Sequence, residues 1–293
     1  MPSGDPHGRL RTRMSTVRRP SPRVRAGRRR PSLASRADRH ELYELAVQAP
    51  ESDADTLASL FRRFRKREAL SLREDFCGTA ALSVAWAKRK RGRTAIGVDL
   101  DQPTLDWGLE HRVRPAGPDV AARVELRRAN VLDGVGPKVD VAAALNFSYC
   151  VLHERRDLVA YFRAARRKLV DDGILVLDLF GGSETMGTKL DRRKLSKFTY
   201  RWEQRSFDPL THHIVCAIGF DFPDGSSIED AFFYDWRLWT CAELRDAMLE
   251  AGFSRVRALW ERTNFDGEGT NSFYEPKHVE NQESWWTYLM AER

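Results

Sequence analysis

Residues 70–101 constrain the fold of this chain more than any other stretch. Leu70-Ser71-Leu72-Arg73-Glu74-Asp75 reads as a strand and runs into Phe76-Cys77-Gly78-Thr79-Ala80. A helix-like run from Ala81 to Lys90 follows, and a second strand, Thr94 to Val98, ends in Asp99-Leu100-Asp101. Strand, tight glycine turn, helix, strand and terminal acid is the layout of a nucleoside-cofactor site at the edge of an α/β sheet. A small residue after the first strand lets a ligand approach the backbone. An acid at the tip of the second strand can accept hydrogen bonds from both hydroxyls of a ribose.

The alternation continues downstream. Asp101 can cap a helix whose first turn holds Pro103, where a missing N–H costs nothing. Residues 124–129 and 139–145 read as a third and a fourth strand. Leu158, Tyr161, Phe162, Ala165 and Leu169 mark an amphipathic helix, and Asp171-Asp172-Gly173 turns it into a buried-type strand at 174–179. Repeated β-α-β units predict a parallel sheet with right-handed crossovers. Upstream, residues 40–48 are expected to be a helix with Leu42, Leu45 and Ala46 on one side. The next helix is expected to be capped by Ser52 or Asp53, with Leu57, Leu60, Phe61 and Phe64 as its apolar stripe.

The pattern changes after Gly182. Residues 189–197 read as a basic loop, 200–205 and 214–222 as strands, Pro223-Asp224-Gly225 as a turn, and 229–238 as a return strand. Thr240 and Glu243 form a capping box ahead of a helix stopped by Gly252. The last two strands are expected at 256–260 and 285–290, with Trp285 and Trp286 in the core.

Charge is distributed unevenly. The 293-residue chain carries +7, yet residues 1–39 hold twelve Arg and no Lys against Asp5 and Asp38, so the remainder is mildly acidic. Residues 1–38 are expected to be a disordered Arg/Pro/Ser-rich tail, and 39–293 one domain with an antiparallel, substrate-side insertion at about 183–238. Three readings of the tail stay open: a segment binding nucleic acid or an acidic partner, an organelle transit segment, or a leader without a role. An acidic body argues against a broad nucleic-acid face. Cys77, Cys150, Cys216 and Cys241 form no CxxC pair, which fits a reducing, cytoplasmic setting and argues against disulfides or a metal site. No apolar run approaches the ~20 residues of a membrane span.

Taken together, Glu74-x-x-Cys77-Gly78-Thr79, Gly97-Val98-Asp99 and the polar Asn130 after the third strand resemble the class I S-adenosylmethionine-dependent methyltransferases, over roughly residues 40–291. The resemblance implies a Rossmann-like, seven-stranded, mostly parallel sheet with helices on both faces and the last strand antiparallel. It implies S-adenosylmethionine as cofactor, held by Glu74, Cys77, Gly78, Thr79, Asp99, Leu100, Asn130, Val131 and Asn146. Phe76 and Ala80 stand where many members carry glycine, so the Phe76 side chain must point away from the cofactor. Asn146-Phe147-Ser148-Tyr149 ends the fourth strand, where amino-group methyltransferases often carry Asn-Pro-Pro-Tyr. By that analogy Asn146 and Tyr149 are the catalytic candidates. His153 is a candidate base or a half-exposed residue before a helix.

The expected acceptor is a small molecule, lined by aromatics among Phe198, Tyr200, Trp202, Phe232, Phe233 and Tyr234, with RNA or protein acceptors left open. No membrane or metal partner is expected. Two rival readings are a nicotinamide-dependent oxidoreductase, whose G-x-G-x-x-G the loop at 76–80 lacks, and a non-catalytic adenosyl-binding module.

Overall fold

Val139–Ala144 is buried along its whole length because it lies near the middle of a sheet covered on both faces. The computed structural model describes residues 31–266 and 269–293. Most of the Arg-rich segment expected to be disordered therefore lies outside the described residues.

The chain runs through α1 (Leu33–Arg36), α2 (Arg39–Val47), α3 (Pro50–Arg65), β1 (Ser71–Asp75), α4 (Ala81–Arg89), β2 (Thr94–Asp99), α5 (Gln102–Gly108) and α6 (Pro118–Ala121). It continues with β3 (Val124–Arg128), β4 (Val139–Ala144), α7 (Arg155–Arg167), β5 (Leu169–Gly181), β6 (Lys189–Lys194), β7 (Thr199–Phe207), β8 (His213–Asp221) and β9 (Ser227–Arg237). It closes with α8 (Cys241–Glu250), β10 (Arg255–Thr263), β11 (Gly269–Tyr274) and β12 (Trp285–Glu292).

Eight strands form the main sheet in the order β11-β10-β12-β5-β4-β1-β2-β3. The strands β3, β2, β1, β4 and β5 pair in parallel, and β12 enters antiparallel between β5 and β10. The expected antiparallel last strand is present. An eighth strand, β11, was not expected; it pairs only with β10, and four of its six residues are exposed, so its sequence carries no burial signal. Alternation sends Val141, Ala143, Ile174 and Val176 to a core beneath α3 and α4, and Ala142, Ala144, Leu175 and Leu177 to a core beneath α7 and α8.

A second, four-stranded antiparallel sheet, β6-β7-β8-β9, is inserted between β5 and α8. Phe198, Ile218, Phe220 and Ala231 of this region pack against Leu42 and Ala46 of α2. Residues 189–194 are thus a strand rather than a basic loop. As an edge strand with mostly exposed side chains, β6 shows no alternation, and its charges protect an open edge.

Three further expectations are corrected. Leu45 is 66% exposed, because α2 turns Leu42, Tyr43, Ala46 and Val47 toward the second sheet and Leu45 away from it. The third helix starts at Pro50, where proline is preorganised, so neither Ser52 nor Asp53 caps it. Trp286 is 42% exposed near the open end of the sheet and is not a core residue. The capping box is formed: Thr240 Oγ1 accepts from Glu243 N, and Glu243 accepts from Thr240 N.

Candidate functional site

The carboxyl ends of β1, β2 and β4 open into a cavity of about 250 Å³. Its floor and one side come from Glu74–Thr79, Asp99, Leu145, Asn146 and Ser148; the opposite side comes from His40 and Tyr43 of α2, Asp53 of α3, and Phe232 and Tyr234 of β9. Of the residues singled out in the sequence, the fold brings Glu74, Cys77, Gly78, Thr79, Asp99 and Asn146 together around this space.

Gly78 takes the left-handed conformation, φ +52°, that the tight turn requires. Its N–H donates to Asp99 Oδ2 at 2.8 Å, while Asp99 Oδ1 accepts from Asp101 N at 3.0 Å. The carboxylate is therefore fixed at the mouth of the cavity, with lone pairs left for a ligand. Phe76 and Ala80, in the places of the missing glycines, also have positive φ, 57° and 59°. Each costs about 1–2 kcal/mol relative to an ordinary backbone. The Phe76 ring recovers part of this by meeting Tyr161 edge-on at 5.6 Å, while Phe76 remains part of the cavity lining. Gly108 of α5 completes the arrangement: a Cβ there would lie 2.4 Å from the Thr79 carbonyl oxygen, so only glycine lets the helix approach. On the outer side Thr79 Oγ1 donates to Glu44 Oε1 at 2.6 Å and ties the loop to α2.

Glu74 lies beneath the loop. Its Oε2 accepts from Ser83 N at 2.8 Å and Ser83 Oγ at 2.6 Å, yet burial pushes its carboxyl up to about 8. Asp53 is raised to about 6 by burial, opposed by the hydrogen bond from the Tyr288 hydroxyl at 3.0 Å. Asp75 lines the same space but is neutralised by Arg73, whose Nε lies 2.7 Å from Asp75 Oδ1. Among the described residues, no Lys or Arg lines the cavity.

Asn146 and Phe147 are consecutive residues with φ of 57°. Asp178, on the adjacent strand β5, holds them there by accepting from Asn146 N at 2.6 Å and Phe147 N at 2.9 Å. Burial pushes the Asp178 carboxyl up to about 7 against the pull of these two donors. Nothing in the local sequence, an acid in an apolar strand, marks Asp178 for this task beyond the incongruity of a charge there.

Four expected site residues lie elsewhere. Tyr149 is fully buried and its hydroxyl donates to the Asp178 carbonyl at 2.9 Å, so it supports the floor and has no atom free for catalysis. Asn130 Oδ1 accepts from Leu132 N at 3.0 Å and caps a short turn; Val131 is buried below it, and Leu100 is 61% exposed beyond Asp99. None of the four lines the cavity. Cys77 lines it only as backbone, its side chain being 2% exposed against Gly97. Of the six aromatic candidates, Phe232 and Tyr234 reach the cavity, whereas Phe233 points to solvent. His153 lies outside, its Nε2 2.8 Å from the Asp235 carbonyl oxygen. The fold also gathers His153, His213 and Asp235 within 4.8 Å of one another, a grouping that sequence spacing does not reveal. Among the described residues, no helix is long and apolar enough to cross a membrane.

No family profile and no curated protein sequence matches the chain. Solved structures do. An S-adenosylmethionine-dependent methyltransferase from Clostridium acetobutylicum is 16% identical, with a TM-score of 0.63 over 85% of this chain and 96% of that one. CalS10, an amino pentose methyltransferase from Micromonospora echinaspora solved with S-adenosylmethionine bound, is 16% identical, with a TM-score of 0.61 over 87% of this chain and 95% of its own. The sugar N-methyltransferase KedS8 from Streptoalloteichus is 15% identical, with a TM-score of 0.58 over 98% and 99%. The chain thus has the Rossmann-like fold of the class I S-adenosylmethionine-dependent methyltransferases. The insertion of an antiparallel β12 between β5 and β10 also departs from the usual strand order of a dinucleotide-binding fold.

Proposed function

We propose that the protein transfers a methyl group from S-adenosylmethionine to a small-molecule acceptor. The observation that carries this reading is the meeting of Asp99 with the Gly78 N–H at the mouth of a cavity lined by the carboxyl ends of β1, β2 and β4. Ligands of open α/β sheets bind outside those ends. The donor set fits the cofactor: Asp99 offers acceptors for ribose hydroxyls, and the backbone of Cys77, Gly78 and Thr79 approaches closely enough to meet its amino-acid portion. Glu74 and the buried, unpartnered Gln48 Oε1 offer acceptors for its ammonium group.

When bound, the cofactor supplies an electrophilic methyl on a sulfonium centre. The chain's own task is to hold the acceptor atom in line with that methyl and to exclude water, which can supply most of the acceleration. Asn146, fixed by Asp178, lines the space between cofactor and acceptor. Tyr43, Phe232 and Tyr234 close the acceptor side. The likeness to an amino pentose methyltransferase and to a sugar N-methyltransferase favours a small molecule over RNA or protein.

Calorimetric titration with S-adenosylmethionine, its demethylated product and NAD tests the cofactor. Binding of NAD alone would overturn the proposal. Product formation with a methyl-labelled donor and a metabolite extract distinguishes an enzyme from a non-catalytic adenosyl-binding module.

A further inference from the structure

The acceptor side of the cavity carries a chemical signature of its own. Phe232 and Tyr234, two residues apart on β9, present rings to the same face, and both line the cavity. Tyr43 of α2 meets Phe232 with ring centroids 4.8 Å apart and lines the same cavity. Three rings from two distant segments thus form one corner. Behind them, Tyr234 packs on Trp236 with centroids 4.4 Å apart and planes tilted by 35°. The charged part of the remaining lining is acidic: among the described residues Asp53, Glu74 and Asp99 line the cavity without an ion pair, His40 contributes an imidazole, and no Lys or Arg joins them.

An aromatic corner in a cavity that Asp53 also lines, without Lys or Arg, attracts cations. Ring faces carry negative quadrupole density, and the interaction with an alkylammonium grows when the site excludes water. The same surroundings disfavour a carboxylate, phosphate or phenolate acceptor, since among the described residues no Lys or Arg lines the cavity; the Arg39 guanidinium lies 5.5 Å from the Phe232 ring centroid but is not part of the lining. We infer that the acceptor is an amine, and that Tyr43, Phe232 and Tyr234 form a cage for the alkylammonium that methylation creates. This inference rests on the proposed methyl transfer.

The chemistry balances without a protein base. A neutral amine forms the new N–C bond with its lone pair as the methyl C–S bond breaks, its electron pair passing to sulfur. Positive charge moves from sulfur to nitrogen, and the new ammonium releases its proton to water. Because charge on nitrogen develops during transfer, the cage stabilises the transition state more than the neutral amine, which is the condition for raising rate as well as affinity. A cage of this kind also retains a partly methylated amine for a further methylation.

The test uses choline against 3,3-dimethylbutan-1-ol, which match in shape and differ in charge. The full chain is first saturated with S-adenosylhomocysteine, so that the cofactor half is filled, and each probe is then titrated by calorimetry or by ligand-observed NMR. Choline is expected to bind at least about 5-fold more tightly than the alcohol. Phe232→Leu, which keeps apolar volume but removes the ring face, is expected to weaken choline roughly 5- to 30-fold and to leave S-adenosylhomocysteine affinity unchanged. Equal binding of the two probes, no choline binding, or unchanged choline affinity in the variant would overturn the amine assignment. Failure of S-adenosylhomocysteine itself to bind would instead overturn the cofactor reading beneath it.

Discussion

Replacing Glu74 with Gln is expected to stabilise the unliganded protein at alkaline pH and to weaken its hold on the cofactor. Glu74 is 7% exposed, and burial carries its carboxyl from 4.5 up to about 8, with Asp53 and Asp99 adding to the rise and the two Ser83 donors opposing it. The folded state therefore binds this proton more tightly than the unfolded chain does. The contribution to stability is fully present below about pH 4.5 and is lost as pH rises toward 8. Between pH 6 and pH 9 a group shifted this far withdraws about 3 kcal/mol. The amide keeps an oxygen that can accept from both Ser83 donors and has nothing to ionise. Urea unfolding of both proteins at pH 6 and pH 9 reads the difference directly: the advantage of Glu74→Gln should widen by about 3 kcal/mol across that interval. Parallel pH profiles would refute the reasoning, because Glu74 would then not be held as a buried neutral acid. The binding arm is independent. Calorimetry at pH 7 in buffers of different protonation heat should show proton release by the wild type when the cofactor's ammonium group arrives, and none by the variant.

Asp99→Ala should weaken S-adenosylhomocysteine binding by about 10- to 100-fold in calorimetry, since charge-assisted hydrogen bonds are lost at about 1.5–3 kcal/mol each; unchanged affinity would remove the ribose assignment. Asp178→Asn turns an N–H₂ toward one of the two backbone donors at Asn146 and Phe147, so chemical unfolding should show a loss of about 2–3 kcal/mol. Turnover in that variant should fall further than cofactor affinity, because Asn146 loses its support on the acceptor side. Thr240→Ala removes the capping box of α8, whose ends lie outside the cavity. It should cost about 1 kcal/mol in a denaturant melt while cofactor affinity stays at the wild-type value.

Local order was legible in the residues alone. The strand-turn-helix-strand of 70–101 fixes where a backbone can bend tightly and where an acid must project, since both depend on neighbours within a few positions. The Asp101 cap, the Thr240 box and the Asp224 turn were readable for the same reason. The β6 edge strand was not, because a strand solvated on both faces leaves no alternation to detect. Tyr149 misled for a different reason: a motif places a residue along the chain but not its hydroxyl, and here that hydroxyl is spent on the Asp178 carbonyl.

The half of the cavity proposed for the acceptor was decided by tertiary structure. Tyr43 and Asp53 come from the consecutive helices α2 and α3 and Phe232 and Tyr234 from the distant strand β9, and Asp178 acts on the Asn146-Phe147 turn from the neighbouring strand. Sheet order, inter-sheet packing and the seating of α2 bring them together. A cofactor loop is built from consecutive residues and so leaves its pattern in the sequence. A pocket for the acceptor is built from side chains that meet only after long-range pairing, so its chemistry has no local pattern to read.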